Sequence, residues 1–387
     1  MNAPTGEQVL RTMLFLLFTA ATVYGFACAH DAWWPRPGDL HAVLGWKSVQ
    51  YHVSYPDYGF VKRGLLPTLL FPLPKGWFNA AVMGINVVVL LALSALAAEV
   101  VGRCRAKLGP RQHLGLAGFL ALSPLAFMNL GYDFGRYDAF GLLLLAVSLW
   151  QLKQHRVALV AGLTVTAILV HEAYFFYGVP LLFAYDFTCV YGTRRGTGRT
   201  SIVMLFKWLR ARWVLWVMPL LAGVLIVAYG RVEAGFPSGS GVPDAAQDPW
   251  GTSPWRVCTR TLTDNVHHVI RRWTHGFYDP FTLACCAILL AAVCLVCVRV
   301  YRANRLRPDA LLAAPLAVLP LFAVGTDYPR WISLFGIVAV FVIVLQVLEG
   351  RIVRLHTRDI RSPLTCLLIT PLGPIGYAHI FPMLGLG

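Results

Sequence analysis

Four short stretches of an otherwise apolar chain gather the side chains that could act together on a substrate. They read YPDYGFVKRG (55–64), YDFGRYD (132–138), HEAYFFYG (171–178) and TDYPRW (326–331). Between them they hold the carboxylates Asp57, Asp133, Asp138, Glu172 and Asp327, the cations Lys62, Arg63, Arg136 and Arg330, and the imidazole of His171. Arginine forks grip phosphate oxygens with two parallel bonds. A carboxylate beside such a grip can take a proton from an attacking hydroxyl, or hold a divalent cation, Mg or Mn, against a pyrophosphate. Tyr55, Tyr58 and Trp331 supply flat apolar faces of the kind that suit sugar rings. Carboxylate, arginine and aromatic ring together suggest a sugar donor carried on a lipid phosphate. Arg63, Lys62, Arg136 and Arg330 would grip the phosphate, and Asp138, Glu172 and His171 would position the acceptor.

Each group also has a plainer reading. Asp133–Arg136 and Asp327–Arg330 are each three residues apart, the spacing of a local ion pair that closes a turn. His171-Glu172 lacks a second His at helical spacing and is no metalloprotease signature. Glu172 is then either a carboxylate or base oriented by His171, or a helix-end ion pair with Arg136. Cys294-x-x-Cys297 resembles half a zinc site but has no second pair at suitable spacing, so it is read as packing.

The elements that must carry these residues follow from composition. Of 387 residues 57% are hydrophobic and 13% charged, with a mean hydropathy of +0.62. A soluble domain has roughly 45–50% apolar and about 25% charged residues, which excludes that class along with disorder, collagen and disulfide scaffolds. A net charge of +15 on a soluble chain would suggest nucleic acid, but this apolar content leaves no nucleic-acid partner. The fold class expected is all-α: one polytopic membrane domain over residues 1–387.

A spanning helix takes about 20 mostly apolar residues. Such stretches fall near 10–29, 77–98, 113–131, 137–152, 157–172, 174–191, 212–230, 281–299, 309–325 and 331–349, with a Pro- and Gly-interrupted one at 363–385. That predicts ten or eleven spans, the first of them kept as a mature helix because no A-x-A cleavage site follows it. With the N-terminus cytoplasmic, the inner side holds 21 basic and 6 acidic residues, and the outer side 12 of each. Every short inner loop then obeys the positive-inside rule. The localisation expected is a bacterial inner membrane, with the working face external.

Two loops are long and both are external, about 30–76 and 231–280, with the C-terminal helices filling 281–387. The first is rich in Trp, Tyr, Pro and His and is expected on the membrane surface. The second ends in Leu262, Val266, Val269, Trp273 and Phe277 opposite Arg271, Arg272 and His268, the stripe of an interfacial amphipathic helix or of a loop helix packed on spans. In this orientation all four polar stretches face outward, while the inner halves of the spans are Leu, Val, Ala and Ile. A transporter needs polar sites near the midplane and commonly shows repeats. Here there is no convincing repeat and little midplane polarity beyond Asn86 and Asn129, which favours an enzyme of the outer leaflet.

This layout resembles the GT-C superfamily of polyprenyl-phosphate-sugar-dependent glycosyltransferases over about residues 1–300. The shared features are an internal N-terminus, a long first outer loop carrying an Asp, short outer turns with acids and Arg after the third and fifth spans, and a second long outer loop with an interfacial helix. The resemblance implies a polyprenyl-phosphate-linked sugar donor, a glycan or lipid-linked acceptor, and surrounding membrane lipids as partners. It makes Asp57 the general base or metal ligand, with Asp39 as a spare. YPDYG holds a single acid where the family carries a pair. Two other readings compete: an O-antigen or exopolysaccharide polymerase or ligase using Arg63, Arg136, Arg330 and His171 on polyprenyl-diphosphate-linked glycans, and a lipid-linked glycan flippase or transporter.

Overall fold

The computed structural model describes residues 5–30, 40–123, 125–191, 202–230, 261–276, 280–353 and 355, and all regular structure among them is helical. Asp39, Phe277, most of the second long loop (231–260) and the stretch 363–385 lie outside the described residues. The chain's contacts divide it into two compact units, each discontinuous in sequence. One comprises Met1–Trp33, Leu90–Phe134 and Arg271–Gly387; the other comprises Trp34–Val89 and Gly135–Ile270.

By length and composition, five helical runs can cross a membrane: Gly6–Ala29, Lys75–Cys104, Pro110–Tyr132, Cys286–Ala303 and Arg330–Leu348. A bent pair, Ile202–Ala211 with Trp213–Tyr229, makes six. These helices are compatible with an integral membrane protein. The expectation of ten or eleven spans exceeds this count, which rests on length and composition of the described residues. The stretches at 137–152, 157–172 and 174–191 are helical, as α8 (Asp138–Lys153), α9 (Val157–Val170) and α10 (Tyr174–Tyr191). The 14 residues of α9 rise only about 21 Å against a hydrocarbon core of about 30 Å. The stretch at 309–325 breaks into short pieces, Ala310–Ala313, a 3-10 turn over Ala314–Val318, and Leu321–Val324.

In the first unit α1 (Gly6–His30) crosses α7 (Phe127–Tyr132) at backbone contact. A Cβ on Gly25 would lie 1.9 Å from the Met128 carbonyl oxygen, and one on Gly131 1.8 Å from that of Thr22. Small residues let membrane helices approach this closely. Helix α6 (Pro110–Leu122) stops where Ser123, which precedes Pro124, turns extended at ψ 133°, as a residue before proline prefers. Ser333, on the helix Tyr328–Leu348, repairs the break by donating its hydroxyl to the Leu125 carbonyl at 2.8 Å, and it accepts Asn129 Nδ2 at 2.5 Å.

In the second unit α8, α9 and α10 pack with α12 (Trp213–Tyr229). The first long loop belongs to this unit and is short helical turns: α2 (Leu40–Leu44), a 3-10 stretch over Gly45–His52, α3 (Tyr55–Tyr58) and α4 (Leu65–Leu70). Part of this loop, expected on a membrane surface, is buried in protein. Tyr51, Val53 and Val61 are fully buried, and the Lys62–Gly64 segment is buried. Hydrogen bonding explains this: the Tyr51 phenol donates to the Gly135 carbonyl at 2.8 Å and accepts from Asn86 Nδ2 at 2.9 Å.

Candidate functional site

In the second unit Arg63, His171, Glu172 and Asp138 come together from three separate segments. Arg63 sits in the turn between α3 and α4 at φ 66°, a left-handed conformation that only a few per cent of non-glycine residues adopt. Such strain persists where the surroundings over-determine it, and it clusters at functional sites. Here the surroundings are explicit. Lys62 N–H donates to the Gly230 carbonyl at 3.1 Å, and Gly64 N–H to that of Val61 at 3.2 Å. A Cβ on Gly64 would meet the Tyr55 ring at 2.3 Å, so only glycine lets α3 close on this turn. The Tyr55 N–H donates to Thr68 Oγ1 at 2.8 Å, and that hydroxyl donates to the Gly64 carbonyl at 2.6 Å. Lys62 and Arg63 are both buried.

The Arg63 guanidinium faces Glu172 with two prongs. Nε donates to both carboxylate oxygens, at 3.1 and 2.9 Å, and Nη2 to Oε1 at 2.5 Å. Glu172 follows directly on the end of α9, where His171 turns extended (φ −154°) and frees the chain to re-enter α10. Burial raises the Glu172 carboxyl, but Arg63 and His171 outweigh it and hold it well below the usual carboxylate range. His171 is fully buried. Its Nδ1 accepts the Ala173 N–H at 3.1 Å, so the neutral ring carries its proton on Nε2, which lies 3.7 Å from Asp138 Oδ1. Burial first, then the charge of Arg63, lower its pKa against the opposing pull of Glu172 and Asp138.

Asp138 opens α8, where the helix N-terminus favours an anion. The turn before it is set by Gly135, at φ +84° and pressed so closely on Leu44 that a Cβ would lie 2.4 Å from that side chain. The Gly135 carbonyl also accepts Gln50 Nε2 at 2.7 Å, and the Tyr137 phenol donates to the Gln50 carbonyl at 3.1 Å. Gln50, Tyr51, Thr68 and Gly64 are thus supporting residues that sequence reasoning passed over. Their one sequence signal is polarity or glycine in a stretch read as surface loop.

The other predicted residues fall elsewhere. Asp57 is exposed on α3 and accepts the Ser54 hydroxyl at 2.6 Å, a bond within its own turn. Tyr55 and Tyr58 are half-buried, and the Tyr55 hydroxyl is enclosed without a hydrogen-bond partner. Arg136 belongs to the second unit, but the cation that takes Glu172 in two-pronged contact is Arg63, where the helix-end alternative had named Arg136. Asp133, Asp327, Arg330 and Trp331 belong to the first unit. There Asp327 and Arg330 form the local pair of their spacing at 3.5 Å, and the guanidinium lies 4.6 Å from the Trp331 ring centroid. Trp331 is buried against Gly325, with its indole N–H enclosed and unpartnered.

No group of three or more His, Cys, Asp or Glu among the described residues is arranged to hold a metal ion. The charge beside Glu172 is met by the chain's own Arg63. No protein-family model matches this chain, and neither a curated protein nor a solved structure matches it.

Proposed function

We propose that this chain is a GT-C-like integral membrane glycosyltransferase. It moves a sugar from a polyprenyl-phosphate donor to a glycan or lipid-linked acceptor at the external face of a bacterial inner membrane. The orientation rests on the excess of Lys and Arg in the loops assigned inside. In that orientation the start of α8 and the end of α9 face outward, at the level of a lipid-linked phosphate.

The observation that carries the reading is Arg63: buried, in a left-handed conformation, and held fork-on by Glu172. In the reaction an acceptor hydroxyl attacks the anomeric carbon, and its proton passes to the exposed carboxylate of Asp57. The bond from that carbon to the phosphate oxygen breaks, and the charge left on the polyprenyl phosphate is taken up by Arg63 and Lys62. Pre-organised cations aimed at developing charge supply the largest share of such catalysis. Glu172 holds the guanidinium in place, His171 and Asp138 position the acceptor, and the rings of Tyr55 and Tyr58 line the sugar.

The test is transfer by purified protein in lipid vesicles holding a polyprenyl-phosphate-linked sugar and an oligosaccharide acceptor. Transfer by the wild-type chain that disappears in Arg63→Met supports the proposal. Equal transfer by both proteins refutes the role of Arg63, and none by the wild-type chain across donor sugars refutes the reaction class.

A further inference from the structure

The chain between α10 and α12 contains an element that the site does not use. Ile202–Ala211 forms α11, which meets α12 at a bend of 78°. By length and composition α11 and α12 pass together as one bent span, and the 17 residues of α12, rising about 25 Å against a hydrocarbon thickness of about 30 Å, make up most of it. The bend is built rather than loose. Trp208 is buried edge-on between Phe183 and Phe187 of α10 and donates its indole N–H to Asp186 at 2.7 Å. Arg212 adds a second bond to the same carboxylate at 3.2 Å, and Trp216 of α12 reaches back to the Leu209 carbonyl at 2.8 Å. With α12 along the membrane normal, α11 is held close to the membrane plane.

The faces of α11 are sorted to match. Trp208 points into protein. Ile202, Leu205, Phe206 and Leu209 recur at i, i+3, i+4 and i+7, with Ile202 72% and Phe206 65% exposed. Exposed Lys207 and Arg210 form the adjoining edge, and no acid occurs from Ile202 to Tyr229. An apolar face edged by cations beside a span is the pattern of a helix lying in a lipid interface. On the ten-stretch topology of the sequence, in which α12 is the seventh span, this end of α12 is cytoplasmic, the side whose leaflet carries anionic headgroups.

We propose that α11 is a binding element for anionic phospholipid, its apolar face among the acyl chains and Lys207 and Arg210 on headgroup phosphates of the inner leaflet. The proposal rests on α12 being a span and is independent of the glycosyl-transfer reading. A chain inactive in transfer can still pass the following test, so the two failures are distinguishable.

The full chain is placed in nanodiscs of phosphatidylcholine with and without phosphatidylglycerol. A nitroxide is attached at Phe206→Cys in a Cys189→Ser background, with the background protein alone as the labelling control. The expected result is a probe at position 206 relaxed by oxygen and shielded from an aqueous nickel chelate. Retention of phosphatidylglycerol over phosphatidylcholine, read by native mass spectrometry, should fall on the order of tenfold in Lys207→Gln/Arg210→Gln. A probe open to the nickel chelate, retention unchanged by the double substitution, or a probe shielded only when two copies cross-link would each overturn the proposal.

Discussion

Arg63 and Glu172 are 109 residues apart in sequence and meet in a two-pronged ion pair in which the guanidinium Nε lies 2.9 Å from one carboxylate oxygen. Arg63 is buried and Glu172 keeps 30% of its side chain exposed, so breaking the pair on one side leaves a partly desolvated charge. Arg63→Met alone should destabilise the protein by about 1–2 kcal/mol, whereas Arg63→Met/Glu172→Leu should recover most of that loss. Thermal unfolding in detergent reads the stability. The double variant should regain its Tm and stay inactive in transfer. Recovery of both would make the pair purely structural.

Asp57 predicts the opposite pattern. Its carboxylate is exposed and bonded to Ser54 of its own turn, so Asp57→Asn should leave stability within about 0.5 kcal/mol of wild type. Loss of a general base should lower the transfer rate about a hundredfold or more. Full activity in this variant would move the base to another residue.

Acid should weaken the fold in two steps. His171 is held below its ordinary value of 6.5, chiefly by burial, so the unfolded chain binds that proton more readily than the folded one. Its effect on stability is therefore a loss that begins as pH falls through about 6.5. Glu172, also depressed, contributes stability above its ordinary value of 4.5, which is lost as pH falls further. Tm measured between pH 8 and 5 should drop below about 6.5 in wild type. His171→Asn should flatten that drop, and an unchanged slope in the variant would assign it to other groups.

Gly64 is the hinge of the arrangement. A Cβ there would press on the Tyr55 ring at 2.3 Å, so Gly64→Ala should cost about 1–3 kcal/mol and misplace Arg63. Gly64→Ala/Tyr55→Ala removes the clash and should restore Tm relative to Gly64→Ala alone. A single Gly64→Ala with wild-type Tm and activity would show that the turn can yield.

Much of the fold could be read from composition, because helices in an apolar chain follow from runs of Leu, Val, Ala and Ile bounded by Arg and Lys. The ten predicted stretches up to residue 349 all carry helix. Span length was less legible: α9 is bounded by Arg156 and His171, and periodicity alone does not say whether 14 residues cross a bilayer. The helix Ile202–Ala211 was counted only as loop cations, although Ile202, Leu205, Phe206 and Leu209 carried its stripe. At the site, residue types identified Arg63, His171, Glu172 and Asp138, but not their pairing. Spacing along a chain reports neighbours three or four apart, and the partner of Glu172 arrives from another loop. The Asp327–Arg330 pair, local by sequence, is local in the structure.

The central claim is that this chain adds a sugar at the external face, and it is tested most directly by the lipid-linked glycans that accumulate when its gene is deleted. Their mass and linkage should show a carrier-bound glycan that lacks one monosaccharide, restored by the wild-type chain and not by Asp57→Asn. Complete but unpolymerised units would contradict the account in favour of a polymerase, and complete units trapped on the inner leaflet would contradict it in favour of a flippase.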